Sequence, residues 1–317
     1  MVPPLSRLLL AGEAIVDLVM RVPALPARGG DLLADSAAAR VGGGFNVMAA
    51  AARQGMPVAY AGGHGTGPWG DLVRSALAAE GIEVLRDPDP RTDTGFDVAL
   101  VEPDGERTFI TSLGAETHPG GWEQIVVSPG DAVYVSGYGL VPPPATASAA
   151  SVAGGPDGGL GAWAAALPDG VVLFADPGPL VADIPAVTLD AVLARCDWWS
   201  CNRREGVLMT GAEDPVAAAR QLLARGPAGV MVRLGPEGCL VATADGVVAV
   251  PAPSVEAVDT TGAGDAHAGA FLAGLAAGLD PVAAARRANA AAAVAVTRDG
   301  PASAPSRREL DIFLKDR

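Results

Sequence analysis

Asp259-Thr260-Thr261-Gly262-Ala263-Gly264-Asp265 is a tight glycine turn running into an apolar helical pattern that continues to Leu275, with one carboxylate, Asp265, in the first helical turn. Small residues at Gly262, Ala263 and Gly264 let backbone N–H groups converge, and the opening of a helix adds a partial positive charge that attracts an anion. Asp265, beside such an anion, is placed to take a proton from an attacking hydroxyl, which is the chemistry of phosphoryl transfer. A plainer reading stays open on these residues alone: the glycines shape a loop, and Asp265 is a favourable acidic residue at a helix start. Upstream, Asp259, Thr260 and Thr261 add a carboxylate and two hydroxyls that could hold the turn or bind a cation.

Other glycine clusters compete for attention. Gly42-Gly43-Gly44-Phe45-Asn46 precedes a helical run. It is either a turn with Asn46 near the helix N-cap or a site where backbone and the Asn46 amide meet a hydroxyl-rich ligand. Gly65-Thr66-Gly67-Pro68-Trp69-Gly70 matches GxGxxG, yet Pro68 and Trp69 fill positions where a pyrophosphate needs close backbone approach. The chain has no GxxxxGK[ST] and no GxSxG elbow. His64, His118 and His267 are too dispersed for a metal cluster, and His267 reads as a packed core residue.

The elements that must hold these residues follow from the apolar pattern. Short apolar runs at Leu8–Ala11, Val58–Ala61, Ala132–Ser136, Val171–Ala175 and Val230–Leu234 read as buried strands. Between them lie helical patterns at Asn46–Gln54, Asp71–Glu80, Leu189–Arg195, Pro215–Arg225, Gly264–Ala277 and Pro281–Thr297. This alternation implies α/β architecture, a mainly parallel sheet with helices on both faces. Two regions depart from it. Thr94–Glu102 and Arg107–Ser112 flank the turn Pro103-Asp104-Gly105 as a hairpin, and Leu18–Val22 with Leu32–Arg40 form a second extended pair, together a small sheet acting as a cover. Val141–Gly161 reads as a loop with a short helix. With 317 residues and no dividing linker, one domain spanning 1–317 is expected, its lid formed by segments about 13–41 and 92–114.

Composition excludes several functions. Lys plus Arg number 22 against 36 Asp plus Glu, a net charge of −14 that disfavours nonspecific binding of nucleic acid or anionic membranes. Cys196, Cys201 and Cys239 have no CxxC spacing, so neither a disulfide framework nor a zinc knuckle is indicated, and the cytoplasm is the expected compartment. Glu13 and Asp17 interrupt the apolar N-terminal run, which argues against a signal segment or a membrane span.

Taken together, Gly42–Asn46 near the start and Asp259–Asp265 near the end resemble the PfkB carbohydrate kinases, the ribokinase-like family. The resemblance extends through Gly12-Glu13 with Asp17, Gly67–Asp71, Thr94-Gly95, Asn202–Glu205, Leu234–Gly238, and Arg287 to Gly300. It implies a three-layer α/β/α sandwich with a small β-sheet lid, transferring the ATP γ-phosphate to a sugar-type hydroxyl. By the same resemblance Asp265 is the catalytic base, and Gly262, Ala263 and Gly264 form the anion hole. Asp17, Gly43 and Asn46 hold the acceptor. Asn202 and Glu205 match the family's NxxE motif, which positions Mg2+ and phosphate through water, and Gly235, Gly238 and Asn289 surround the nucleotide. Asp259 and Thr261, with carbonyls near Ala295, Arg298 and Gly300 and the Ser303 hydroxyl, resemble a monovalent-cation site, so K+ dependence is expected.

The chain also departs from ribokinases proper. Its first glycine motif is one residue shorter and lacks their Lys, and Val135-Ser136-Gly137-Tyr138 has no acidic residue where theirs meets ribose. The family's Asp-Pro-Asn-x-Arg run is reduced to Asp176-Pro177-Gly178-Pro179. Phe45 and Tyr138 either stack on an acceptor ring, as a nucleoside would require, or pack the lid and wall. A nucleoside kinase and a non-catalytic sugar-sensing protein are therefore the alternatives to a sugar kinase. Exposed strand edges on the lid would let it pair with a second copy, making a homodimer.

Overall fold

The structure is a computed structural model describing residues 5–117, 120–142 and 159–316. Most of the expected loop at Val141–Gly161, and His118, lie outside the described residues. Among the described residues the large sheet has nine strands: β1 (Arg7–Ala11), β4 (Val58–Tyr60), β5 (Glu83–Val84), β8 (Asp131–Ser136), β9 (Val172–Asp176), β10 (Trp198–Asn202), β11 (Gly229–Arg233), β12 (Cys239–Thr243) and β13 (Gly246–Val250). Their order is β13-β12-β11-β10-β9-β8-β1-β4-β5, parallel from β5 to β11 and antiparallel only in the β11-β12-β13 meander at one edge.

Alternate residues of the same strand enter different cores, as the pleat requires. Leu8 and Leu10 join a cluster with residues of the helices Phe45–Arg53, Pro68–Ala79, Ala263–Ala276, Pro281–Ala295 and Arg307–Lys315, whereas Leu9 and Ala11 join Leu160, Val192, Leu193 and Leu222 on the opposite face. The result is the expected three-layer sandwich. All five expected strands and all six expected helices occur within a few residues of their expected bounds. The Pro68–Ala79 helix begins three residues before its expected start, with Pro68 in the first turn, where the missing N–H costs nothing.

The Ala263–Ala276 helix is buried continuously from Ala266 to Leu275. Gly269 permits this, since a Cβ there would come 2.5 Å from the Val47 carbonyl oxygen on the Phe45–Arg53 helix. The two helices thus meet backbone to backbone, and the helix whose first turn holds Asp265 is anchored to the helix whose first turn holds Asn46. Gly269→Leu is expected to lower the unfolding free energy by about 3 kcal/mol, the upper end of overpacking costs, measured by urea denaturation; unchanged stability would contradict this packing.

The small sheet is built from β2 (Ala14–Arg21), β3 (Ser36–Gly43), β6 (Phe96–Val101) and β7 (Arg107–Ser112), in the order β3-β2-β6-β7. Its register puts Arg40, Asp17, Asp97 and Thr111 in one row, Ala38, Val19, Ala99 and Phe109 in the next, and Ser36, Arg21, Val101 and Arg107 in the third. One face therefore carries acidic, apolar and basic bands in succession. Residues Asp17, Val19, Arg21, Arg107 and Phe109 of this face line a cleft of about 250 Å³, closed on the other side by Asp259, Thr261 and Gly300.

Candidate active site

Parallel α/β sheets gather ligands at the carboxyl ends of their strands. Here Ser136 ends β8, Asp176 β9, Asn202 β10 and Arg233 β11, with Ser136 opposite Asp176 and Asn202 opposite Arg233. Glu13, just beyond β1, joins them: Ser136 Oγ donates to its carboxylate at 2.9 Å. An acidic group thus reaches the corner where the β8 strand itself has none.

Gly262 opens the Ala263–Ala276 helix with φ 71°, a left-handed conformation that a Cβ would resist. The Ala263 N–H returns to the Thr260 carbonyl at 3.2 Å, and the Ala266 N–H closes on the Gly262 carbonyl at 2.8 Å. The amides of Gly264 and Asp265 stand at the helix mouth, where no intrahelical acceptor exists for them. Asp265 accepts a hydrogen bond from Asn46 Nδ2 at 3.0 Å. Burial lifts its carboxyl from 3.8 to about 6, with Asp176 adding to the rise and Asn46 and Arg233 opposing it.

Other raised carboxyls surround it. Burial pushes Asp17 up to about 7, helped by Asp97 and Asp265, and pushes Glu13 to about 7 and Asp97 to about 6. A Cβ at Gly42 would lie 2.2 Å from Asp17 Oδ2, so glycine there makes room for the carboxylate. Gly43, with φ 62°, completes the turn beside Glu13. Asn46 Oδ1 and Asp97 Oδ1 are buried without a hydrogen-bond partner among the described residues. Unpaired buried acceptors are costly, and a ligand rich in hydroxyl donors would relieve both.

Arg233 has no motif to announce it. Its guanidinium is bound by Asp176 and Ser200 and lies 3.7 Å from Glu205 Oε2, while a Cβ at Gly264 would sit 3.5 Å from its Nε. A full positive charge therefore lies alongside the amide-lined helix mouth. Burial alone would lower its pKa, but Asp176 and Glu205 raise it, so it stays charged. The sequence signal for it is one charged residue inside the apolar run Val230–Leu234.

Asn202 and Glu205 form a reciprocal helix cap. Asn202 Oδ1 accepts the Glu205 N–H at 2.9 Å, and the Glu205 carboxylate accepts the Asn202 N–H and Nδ2 at 2.7 Å each. Gly235, with φ 62°, begins the turn leading to β12, and a Cβ on it would meet open space. Gly238 differs: a Cβ there would come 2.1 Å from the Val250 carbonyl oxygen, so its glycine serves the β-meander. Asn289 is turned inward, donating through Nδ2 to the carbonyls of Val250 and Pro251 and pairing through Oδ1 with His267 Nε2 at 3.0 Å. His267 is accordingly a core residue, and Asn289 shapes a wall from behind.

The expected cation residues also converge. Asp259 Oδ1 accepts the Thr261 N–H at 2.7 Å and Oδ2 the Gly300 N–H at 3.0 Å, while Ser303 Oγ donates to the Ala295 carbonyl at 3.1 Å. Arg298 Nη1 donates to the Ser303 carbonyl at 3.2 Å. Phe45 is buried within the core, so it is not free to stack on a ligand, whereas Tyr138 is 54% exposed. At the GxGxxG turn, the Asp93 carboxylate accepts the N–H groups of Trp69 and Gly70 at 3.0 and 2.8 Å. That helix mouth is filled by the chain itself and has no room for a pyrophosphate.

The model of the pfkB family of carbohydrate kinases matches residues 6–307 of this chain. The chain belongs to this family. It is 34% identical to the "Uncharacterized sugar kinase YegV" of Escherichia coli (strain K12), over 98% of this chain and 95% of that protein. It is 28% identical to the ribokinase of Haemophilus influenzae, over 98% and 99% of the two chains. A structure of an E. coli ribokinase II candidate in complex with ATP and Mg2+ superposes with a TM-score of 0.81 at 24% identity, covering 99% of this chain and 100% of that one. This pfkB kinase is thus an ATP-dependent phosphotransferase acting on a hydroxyl of a sugar or sugar-like molecule.

Proposed function

We propose that Asp265 is the base that removes the proton from the acceptor hydroxyl as that oxygen attacks the γ-phosphorus of ATP. The O–P bond forms as the bond to the β-phosphate oxygen breaks, and ADP leaves. The observation that carries this reading is the buried Asp265 carboxyl, raised to about 6 and held by Asn46 at the mouth of a helix. In that place the Gly264 and Asp265 amides and the Arg233 guanidinium bind the migrating phosphoryl oxygens, with Gly262 and Ala263 shaping the turn. Asp17, Gly43 and Asn46 orient the acceptor, joined by Asp97 and Glu13. The small sheet covers the cleft and keeps water from competing.

Asn202 and Glu205 fit a hydrated Mg2+ carried by ATP. Each Glu205 oxygen accepts one hydrogen bond from Asn202 and keeps further lone-pair capacity for a metal-bound water. Magnesium keeps most of its own water shell and so needs few protein ligands. When bound, Mg2+ neutralises charge on the phosphate oxygens. Gly235 lies where open space could admit the nucleotide, and Asn289 holds the wall.

The acceptor is a polyhydroxylated sugar in this reading, since the unpaired acceptors Asn46 Oδ1 and Asp97 Oδ1 call for several hydroxyl donors. ADP release with a panel of pentoses, hexoses, keto-deoxy acids and nucleosides is expected to rise strongly with one sugar class. Equal ATP breakdown with and without every compound would contradict it, and a sensing protein would bind a sugar without releasing ADP. Three buried free cysteines suit the cytoplasm. Among the described residues no helix is long and apolar enough to cross a membrane. The outer lid face around Leu18, Met20, Ala37 and Ala39 supports a homodimer through the lid, which sedimentation would read directly.

A further inference from the structure

Arg107 begins β7, two residues beyond Gly105 of the hairpin turn, and its guanidinium forms an ion pair with Asp259 Oδ1. Arg21 on β2 pairs with Asp299 at 2.5 Å, and Arg40 on β3 approaches the same carboxylate at 3.9 Å. Three strands of the lid thus end on two aspartates that flank the loop opening the Ala263–Ala276 helix. Asp259 is the sole carboxylate in the expected K+ site, and its charge is already met: the Thr261 amide and Arg107 share Oδ1, and the Gly300 amide takes Oδ2. Burial would raise its pKa, but these hydrogen bonds hold it at about 2. Two neighbouring acceptors are engaged as well, the Ala295 carbonyl by Ser303 Oγ and the Ser303 carbonyl by the Arg298 guanidinium. A monovalent ion here would share its carboxylate with one guanidinium and stand close to another, so the residues do not fit it.

We infer that the Arg107 guanidinium takes the place of a monovalent metal ion at Asp259, so that this kinase works without K+. Arg107 is then a positioning residue. It acts through Asp259 on the Thr261–Gly262 turn, and so couples lid closure to the setting of the amide hole.

The activity arm of the test rests on the kinase reading; the thermal arm does not. Wild-type protein dialysed into tetramethylammonium chloride is compared with the same protein in KCl at equal ionic strength. An ion that binds only the folded state raises the melting point. Expected for the wild type is an unchanged melting point and turnover equal within about twofold. Arg107→Met is expected to lose ~10-fold or more in turnover without K+, and K+ should raise both its turnover and its melting point. Arg107→Lys, which keeps the charge, should stay independent of K+. The inference falls if K+ stimulates the wild type ~10-fold or more or raises its melting point. It falls equally if K+ restores neither quantity in Arg107→Met, or if that variant behaves as the wild type does. Should no acceptor support turnover, the kinase reading fails while the melting points still decide the role of Arg107.

Discussion

Asp265→Asn is expected to cut turnover by ~10²–10⁴, the usual contribution of a general base, with the acceptor and ATP still bound. The amide keeps the shape of the side chain and an oxygen to accept from Asn46 Nδ2, as Asp265 Oδ2 does at 3.0 Å, but it cannot take the proton. The pH profile carries a second signature. Because the Asp265 carboxyl is raised to about 6 and must be ionised to act, wild-type turnover should fall as pH drops through about 6 and level off above. Asp265→Asn should lose that limb. Stability follows the opposite sign. A carboxyl raised from 3.8 to about 6 favours the protonated form in the fold, so its contribution is present below the lower value and lost as pH rises past the upper one. Asp265→Asn should therefore melt no lower than the wild type at alkaline pH. An inactive variant that is also less stable there would mean that the carboxylate serves the fold, and near-normal turnover would remove it from the reaction.

Arg233→Lys is expected to lower kcat by ~10²-fold, near the cost of removing one preorganised donor to a developing anion, with little change in either KM. Lysine keeps a charge for Asp176 and Glu205 but loses the planar fork that serves several partners at once. The fold should survive. Arg233→Met should behave differently, because breaking a buried pair leaves carboxylates uncompensated at a cost of about 3–5 kcal/mol. Steady-state kinetics of the lysine variant beside its melting curve separate the two roles. Wild-type kcat in Arg233→Lys would reduce Arg233 to a structural counter-charge for Asp176.

Where chemistry is carried by neighbours in sequence, it was readable from the chain. Asp265 follows its own glycine turn, and Asn46 follows another. Asp97 and Arg233 illustrate the opposite case. Asp97 meets Asp17 only through the parallel register of β2 and β6, and Arg233 reaches Asp176 from β11 across the end of β10. Such pairings have no local spacing. The buried strands were legible as short apolar runs, whereas β10 was hidden by its polar Ser200, Cys201 and Asn202, which are nonetheless mostly buried. The β12–β13 hairpin carried a signal in Asp245-Gly246, where Gly246 adopts φ 129°, but Thr243 and Ala244 before it blur the strand end. The Arg203–Thr210 helix opens on charged residues and shows no apolar stripe; its cap, Asn202 with Glu205, was the readable feature. Potassium was an expectation implied by the family resemblance, and only the lid's fold brings Arg107 onto Asp259.

The central claim is that the phosphoryl group crosses at the mouth of the Ala263–Ala276 helix with Asp265 on the attacking oxygen. A crystal structure with ADP, Mg2+, the acceptor and a planar fluoroaluminate, which mimics the migrating PO₃ unit, tests it most directly. The fluoroaluminate is predicted to lie within ~2.7–3.1 Å of the Gly264 and Asp265 amides and of Arg233, hydrogen-bond reach for an anion hole, with an Asp265 oxygen on the acceptor hydroxyl. A fluoroaluminate bound elsewhere, or an Asp265 carboxylate turned away from the acceptor, would contradict the account.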